Sequence, residues 1–126
     1  MNRENAIQPI KLPETNIIVR KGYYSGKIIN AEVQFKDNRC DLKVEFRIIK
    51  GKCEGFRLSA VLRDIYRRNY RLSYLCKAAG ISRELNEPKQ LIGKIVKLRV
   101  VPEHRTYMGR SYLNHKITRF HPVNSS

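Results

Sequence analysis

The chain has 126 residues, which suits one domain with one modest core better than two. Apolar residues make up 41% of it and are spread along most of its length, so it reads as a folded globular protein and not as a disordered tail. Lysine and arginine number 26 against 11 acidic residues; the formal charge of +15 is beyond the magnitude of about 2 to 8 that solubility asks for, and it favours a polyanionic partner. Nucleic acid leads that class. A membrane is disfavoured, because the aliphatic run near the N-terminus, Ile17, Ile18 and Val19, is too short for a span or a signal-peptide core. Cys40, Cys53 and Cys76 form no CxxC pair and leave one thiol over in any disulfide scheme, so a reducing, cytoplasmic setting is expected.

Residues 1–21 carry Pro9 and Pro13 without a sustained period and are expected to form an extended or mobile arm before a domain spanning 22–121. A first strand is expected over about 23–35. The polar, turn-prone KDNR then leads into CDLKVEFRIIKG, where Leu42, Val44, Phe46 and Ile48 alternate with Asp41, Lys43, Glu45 and Arg47. The first set suits a core, Phe46 included; the second suits an outer face. KGKCEG supplies a further turn, with Gly51 and Gly55. FRLSAVL follows as a third strand that places Arg57 and Ser59 outward beside Lys43 and Arg47. Phe56, first in that strand, suits either the core or the groove.

After RDIYRRNYR the spacing of Leu72, Leu75, Cys76 and Ala79 predicts one helix, closed by Gly80, with Cys76 as a small buried apolar residue. ISRELNEPKQLIG is a connector interrupted by Pro88. KIVKLRVV restores the strand period, PEHRTYMGRS is expected to be a polar loop, YLNHKITRF a fifth strand, and 122–126 a short tail. An all-β chain with a helix between strands three and four has the order of the five-stranded OB-fold barrel. Such barrels bind oligonucleotides on the face of strands two and three and on the loops joining strands one to two and four to five. Those positions are basic here. Lys36, Arg39, Lys43, Arg47, Arg57, Arg105 and Arg110, with His104, are the expected phosphate contacts. Tyr107 and Tyr112 are the expected base-stacking platforms, each stack being worth about 1–3 kcal/mol. Tyr66, Arg67, Arg68 and Tyr70 are candidates for a second contact, although arginine-rich runs also serve as plain solvated surface.

The blocks RIIKGKCEGFRL, YLCKAAGI, LIGKIVKLRV and EHRTYMGRSYLNHKITRF resemble a phage-encoded family of small OB-fold proteins regarded as single-stranded DNA-binding proteins, over roughly residues 22–120. The resemblance implies a role in replication or recombination, beside the proteins of those processes. The chain departs from many single-strand binders in its end, HPVNSS, which carries no acidic side chain for recruiting partners.

Enzyme readings find little support in the residues. There is no GxxxxGK[ST] and no HExxH, and His104, His115 and His121 lack cysteine partners at zinc-finger spacing, so neither a cofactor nor a metal is expected. Asp41 and Glu45 share a strand face but stand about 13 Å apart along it, too far for one ion. The expectation is therefore a non-catalytic protein that binds single-stranded DNA with little sequence preference. An RNA binder and a metal-dependent nuclease are the alternatives.

Overall fold

The structure is a computed structural model that describes residues 19–67, 69–81 and 84–123. Most of the expected arm, Arg68 and the last three residues lie outside the described residues. The elements run in chain order as β1 (Gly22–Lys36), β2 (Arg39–Ile48), β3 (Arg57–Leu62), α1 (Tyr70–Ala78), a 3-10 turn (Pro88–Leu91), β4 (Ile95–Tyr107) and β5 (Arg110–Pro122). All pairings are antiparallel, in the order β3-β2-β1-β4-β5. Three hairpin-connected strands and a fourth returning to lie beside the first make a Greek key, which β5 extends. The edge strands β3 and β5 approach each other, but no ladder joins them. The sheet is thus open along that seam and not closed into the barrel expected from the element order.

The strand β1 belongs to two pairings. Its residues 22–27 pair with β4 and its residues 26–36 with β2, so only Gly26 and Lys27 are paired on both sides. A bulge between Ile28 and Asn30 bends the strand just past this overlap. At Gly26 a side chain of the adjacent strand β4 comes so close that a Cβ would sit 2.6 Å from Leu98 Cδ1 and 3.2 Å from Leu98 Cγ. Glycine is needed there for space, not for an unusual φ. The concave side holds the core. Leu42, Val44, Phe46 and Ile48 of β2 are fully buried, as their alternation requires, and meet Val96, Leu98 and Val100 of β4 and Phe120 of β5. The rings of Phe46 and Phe120 stack with centroids 5.9 Å apart. Val19, at the end of the segment read as an arm, is fully buried, and its N–H donates to His115 Nε2 at 3.3 Å. Phe56 lies against the core and meets the His115 ring edge-on, which resolves its two readings in favour of packing.

A helix of nine residues is marginal by itself, and its ends and one face account for its presence. Asn69 caps it by accepting from the Leu72 N–H at 2.9 Å. At the other end Gly80, at φ 85°, donates to Lys77 O and Ile81 donates to Cys76 O, the paired bonds of a Schellman cap. Leu75 and Ala78 enter the core, and Arg71 Nη2 donates to Ile117 O at 2.8 Å, tying the helix to β5. Cys76 packs partly against the core, and burial pushes its thiol pKa up. Among the described residues no helix is long and apolar enough to cross a membrane.

The residues expected to form a polar loop between the last two strands are mostly strand. The strands β4 and β5 continue past the body of the sheet to Tyr107 and from Arg110, joined by a two-residue turn in which Met108 and Gly109 have φ 51° and 76°. Both angles are left-handed, as in a type I′ hairpin, whose twist matches that of the flanking strands. The strand β5 also runs to Pro122, paired with Val96, so the first residue of the expected tail belongs to the sheet.

Replacing Gly26 with Ala should displace the buried Leu98 side chain and destabilise the fold by about 1–3 kcal/mol, the usual cost of overpacking. Urea unfolding of the two proteins measures this, and an unchanged midpoint would contradict the close approach.

Candidate nucleic-acid interface

The outer surface is built from the residues that alternate with the core. Lys43, Glu45 and Arg47 of β2 face outward beside Arg57, Ser59 and Val61 of β3, with Arg47 directly opposite Arg57, Glu45 opposite Ser59, and Lys43 opposite Val61. On the other side of β2, Lys27 of β1 stands directly opposite Arg47. Lys27, Arg47 and Arg57 therefore form a row of cations across three adjacent strands. Like charges directly opposite one another in a sheet are destabilising. No ion pair relieves this row among the described residues. Glu54 shares a shallow depression with Arg47 but forms no ion pair with it.

The acids of this face are engaged nearer the tip of the β1–β2 hairpin. Glu32 stands opposite Lys43, and Asn30 Nδ2 donates to Glu45 Oε1 at 3.3 Å. Asp41, expected on the outer face of the strand, has no exposed surface at all. Its Oδ1 accepts from the Asp64 N–H at 2.9 Å, and Arg39 Nε donates to both its oxygens at 3.1 and 3.2 Å. The Asp64 N–H, ahead of the Arg39 guanidinium, holds the Asp41 carboxyl below the ordinary carboxylate value against the opposing effect of burial. Asp41 is thus an anchor. With Ile65 N donating to Cys40 O at 2.8 Å, it fixes the segment after β3 to the start of β2.

That anchor brings the arginine-rich segment next to Arg39 and, through the Lys36 to Arg39 pairing, next to Lys36. Tyr66 is 83% exposed and Tyr70 60% exposed; Arg67 is exposed and pairs with Asp64 at 3.4 Å. Of the four residues proposed for a second contact, only Arg68 lies outside the described residues. Tyr74, one helical turn after Tyr70 and equally exposed, extends the aromatic series.

At the opposite end of the sheet, the β4–β5 ribbon collects the remaining candidates. Arg105 pairs with Tyr112, and Tyr107 with Arg110. Paired residues share a face of the ribbon, as do residues two apart, so Arg105, Tyr107, Arg110 and Tyr112 make one four-residue patch in which each tyrosine stands opposite an arginine. Tyr107 is 66% exposed and Tyr112 49%. Arg105 donates to Glu103, which raises the guanidinium pKa and lowers that of the carboxyl. His104 pairs with Leu113 and so falls on the other face of the ribbon, away from the four.

The sequence candidates thus form three groups: Lys36 and Arg39 with the 63–67 segment at one end, Lys43, Arg47 and Arg57 across the middle, and the ribbon at the other end. Reasoning from single strands missed Lys27, because its position in the row depends on pairing across β1 and β2. It also missed Phe35, 82% exposed near the tip of the β1–β2 hairpin. Among the described residues no three His, Cys, Asp or Glu side chains are grouped so as to hold a metal ion. No family model and no curated protein matches the chain.

The depressed pKa of Asp41 sets an acid-side pH dependence. Its stabilising effect is fully present above the ordinary value of 3.8 and is lost as the pH falls through the lower value it has in the fold. Asp41→Asn, which keeps an acceptor for Asp64 but loses the charge facing Arg39, should melt at a lower temperature near neutrality. The difference from the wild type should shrink as the pH falls from about 4 towards about 2. Melting curves by circular dichroism test this, and parallel pH profiles would contradict it.

Proposed function

We propose that this protein is a non-catalytic, OB-type module that binds single-stranded DNA with little sequence preference. The observation that carries the reading is the row of Lys27, Arg47 and Arg57. Three cations in register across three strands repel one another in the free protein, and a phosphodiester backbone laid over them would turn that cost into attraction. The ribbon patch supplies what phosphate contacts alone lack, since exposed tyrosines beside arginines can stack on unpaired bases of any sequence. An OB-fold is a partly open, five-stranded Greek-key barrel, and the strand order here, with its two edge strands drawn together, is compatible with that architecture.

The two carboxylates on which the nuclease reading drew, Asp41 and Glu45, are otherwise employed. Asp41 is buried under Arg39 and the Asp64 backbone, and Glu45 accepts from Asn30. The resemblance of the sequence blocks to phage-encoded single-strand binders gives the biological setting proposed here, the protection of unpaired DNA during replication or recombination.

If about five phosphates are neutralised, log affinity for an unstructured oligodeoxynucleotide should fall with log salt at a slope of about −3 to −4. Lys27→Ala or Arg57→Ala should each make that slope shallower by about 0.7. Tyr107→Ala should weaken binding at every salt concentration by about 1–3 kcal/mol. Fluorescence titrations with single-stranded DNA, duplex DNA and RNA in parallel measure all of these. Salt-independent binding would overturn the proposal, tighter binding of RNA would reassign the ligand, and cleavage of labelled strands with Mg²⁺ or Mn²⁺ would make the protein a nuclease.

A further inference from the structure

The cation row does not end at Lys27. Two residues back along β1 on the same face, about 7 Å away, lies Ser25, and beyond it Tyr23. These residues border a cleft of about 670 Å³ between the start of β1 and the turn that joins β2 to β3. Arg20 comes to it from the approach to β1, Lys50 and Lys52 from the turn, and Lys97 from β4. Cations from three separate stretches of chain therefore converge on one concavity, and its lining contains no carboxylate among the described residues. The acid of the same turn, Glu54, lines the depression beside Arg47 instead.

The turn is held in place by its own backbone bonds. Ile49 N donates to Ser25 O at 3.0 Å, Gly55 N to Ile48 O at 2.7 Å and Ile48 N to Phe56 O at 2.9 Å. Lys50 and Lys52 are thus presented from a fixed loop. Tyr23, 55% exposed, offers an aromatic wall whose other neighbour is the His121 ring, with centroids 5.9 Å apart.

We infer that this cleft is a phosphate-and-base subsite for the same single strand: the strand leaves the row at Lys27, crosses β1, and places a phosphodiester between Lys50 and Lys52 and a base against Tyr23. The inference rests on the proposed single-strand binding and extends it to residues outside the groove expected of such a fold. It makes the contacted strand longer than the face of β2 and β3 alone would hold.

The test compares oligothymidylates of about 5 and about 15 nucleotides, near the two ends of the range covered by one domain of this class. The triple variant Tyr23→Ala, Lys50→Gln, Lys52→Gln, made at exposed positions and checked by its melting curve, should bind the long oligonucleotide about tenfold or more weakly, while affinity for the short one stays unchanged. A second measurement does not depend on the variant: Lys50 and Lys52 of the wild-type protein should be protected from amine acetylation by the long oligonucleotide and not by the short one. Unchanged long-oligonucleotide binding, together with weakening by Arg47→Ala, would overturn the subsite and leave the proposed function standing. Wild-type protein that binds neither oligonucleotide would overturn both. Protection by thymidine monophosphate alone, with none by the long oligonucleotide, would assign the cleft to a free nucleotide and overturn the inference.

Discussion

The strand β1 pairs with β2 in a hairpin and with β4 across a long connection, and the two pairings overlap at Gly26 and Lys27. Everything that makes the surface distinctive follows from that crossing. Where the sheet curls around its core, the side chain of Leu98 packs close over the β1 backbone, in the space that a Cβ at Gly26 would take. The next residue then points outward at the point where both pairings meet. Lys27 thus faces Arg47 on one side and Ile95 on the other, and the cation row, the cleft beside Tyr23 and the face of β4 become parts of one continuous surface. The residue packed closest under Leu98 and the residue that joins the basic surfaces are adjacent in the chain.

The distribution of the few acids is as informative as the excess of bases. With 11 carboxylate side chains against 26 cations, most basic residues have no acidic partner to find. The acids that form ion pairs among the described residues secure structure. Asp41 binds the segment after β3 to β2, Asp64 holds Arg67 in that segment, and Glu103 holds Arg105 on the ribbon. The middle of the outer face is left with Lys27, Arg47 and Arg57 in mutual repulsion. A sheet selected for stability alone would place a glutamate among them, since opposite charges across strands stabilise by about 0.2–1 kcal/mol. Such local conflicts are expected where function outweighs stability.

How much of this was legible in the chain depended on whether a core imposed a period. In β2 one face is buried throughout, and the alternation of Leu42, Val44, Phe46 and Ile48 disclosed both the strand and the burial of Phe46. The helix and its Gly80 cap were equally readable, because Leu75 and Ala78 must reach the core and Gly80 must be left-handed. The strand character of residues 102–111 was not, since residues 104–112 are exposed with no core beneath them and their polar side chains on both faces read as a loop. Nor was the burial of Asp41, which is produced by a segment that returns from beyond β3. Lys27 was hidden for a third reason: register between strands is a pairwise property, and the bulge after Ile28 breaks the alternation that would have assigned faces along β1.

The central claim is that the sheet keeps a self-repelling row because the row binds a polyanion. Arg47→Glu sets the two sides of that claim against each other in one protein. With a carboxylate between Lys27 and Arg57, the account predicts a protein that is more stable to urea by up to about 1 kcal/mol yet binds single-stranded DNA much more weakly at low salt. A variant that is no more stable and binds as tightly as the wild type would contradict it.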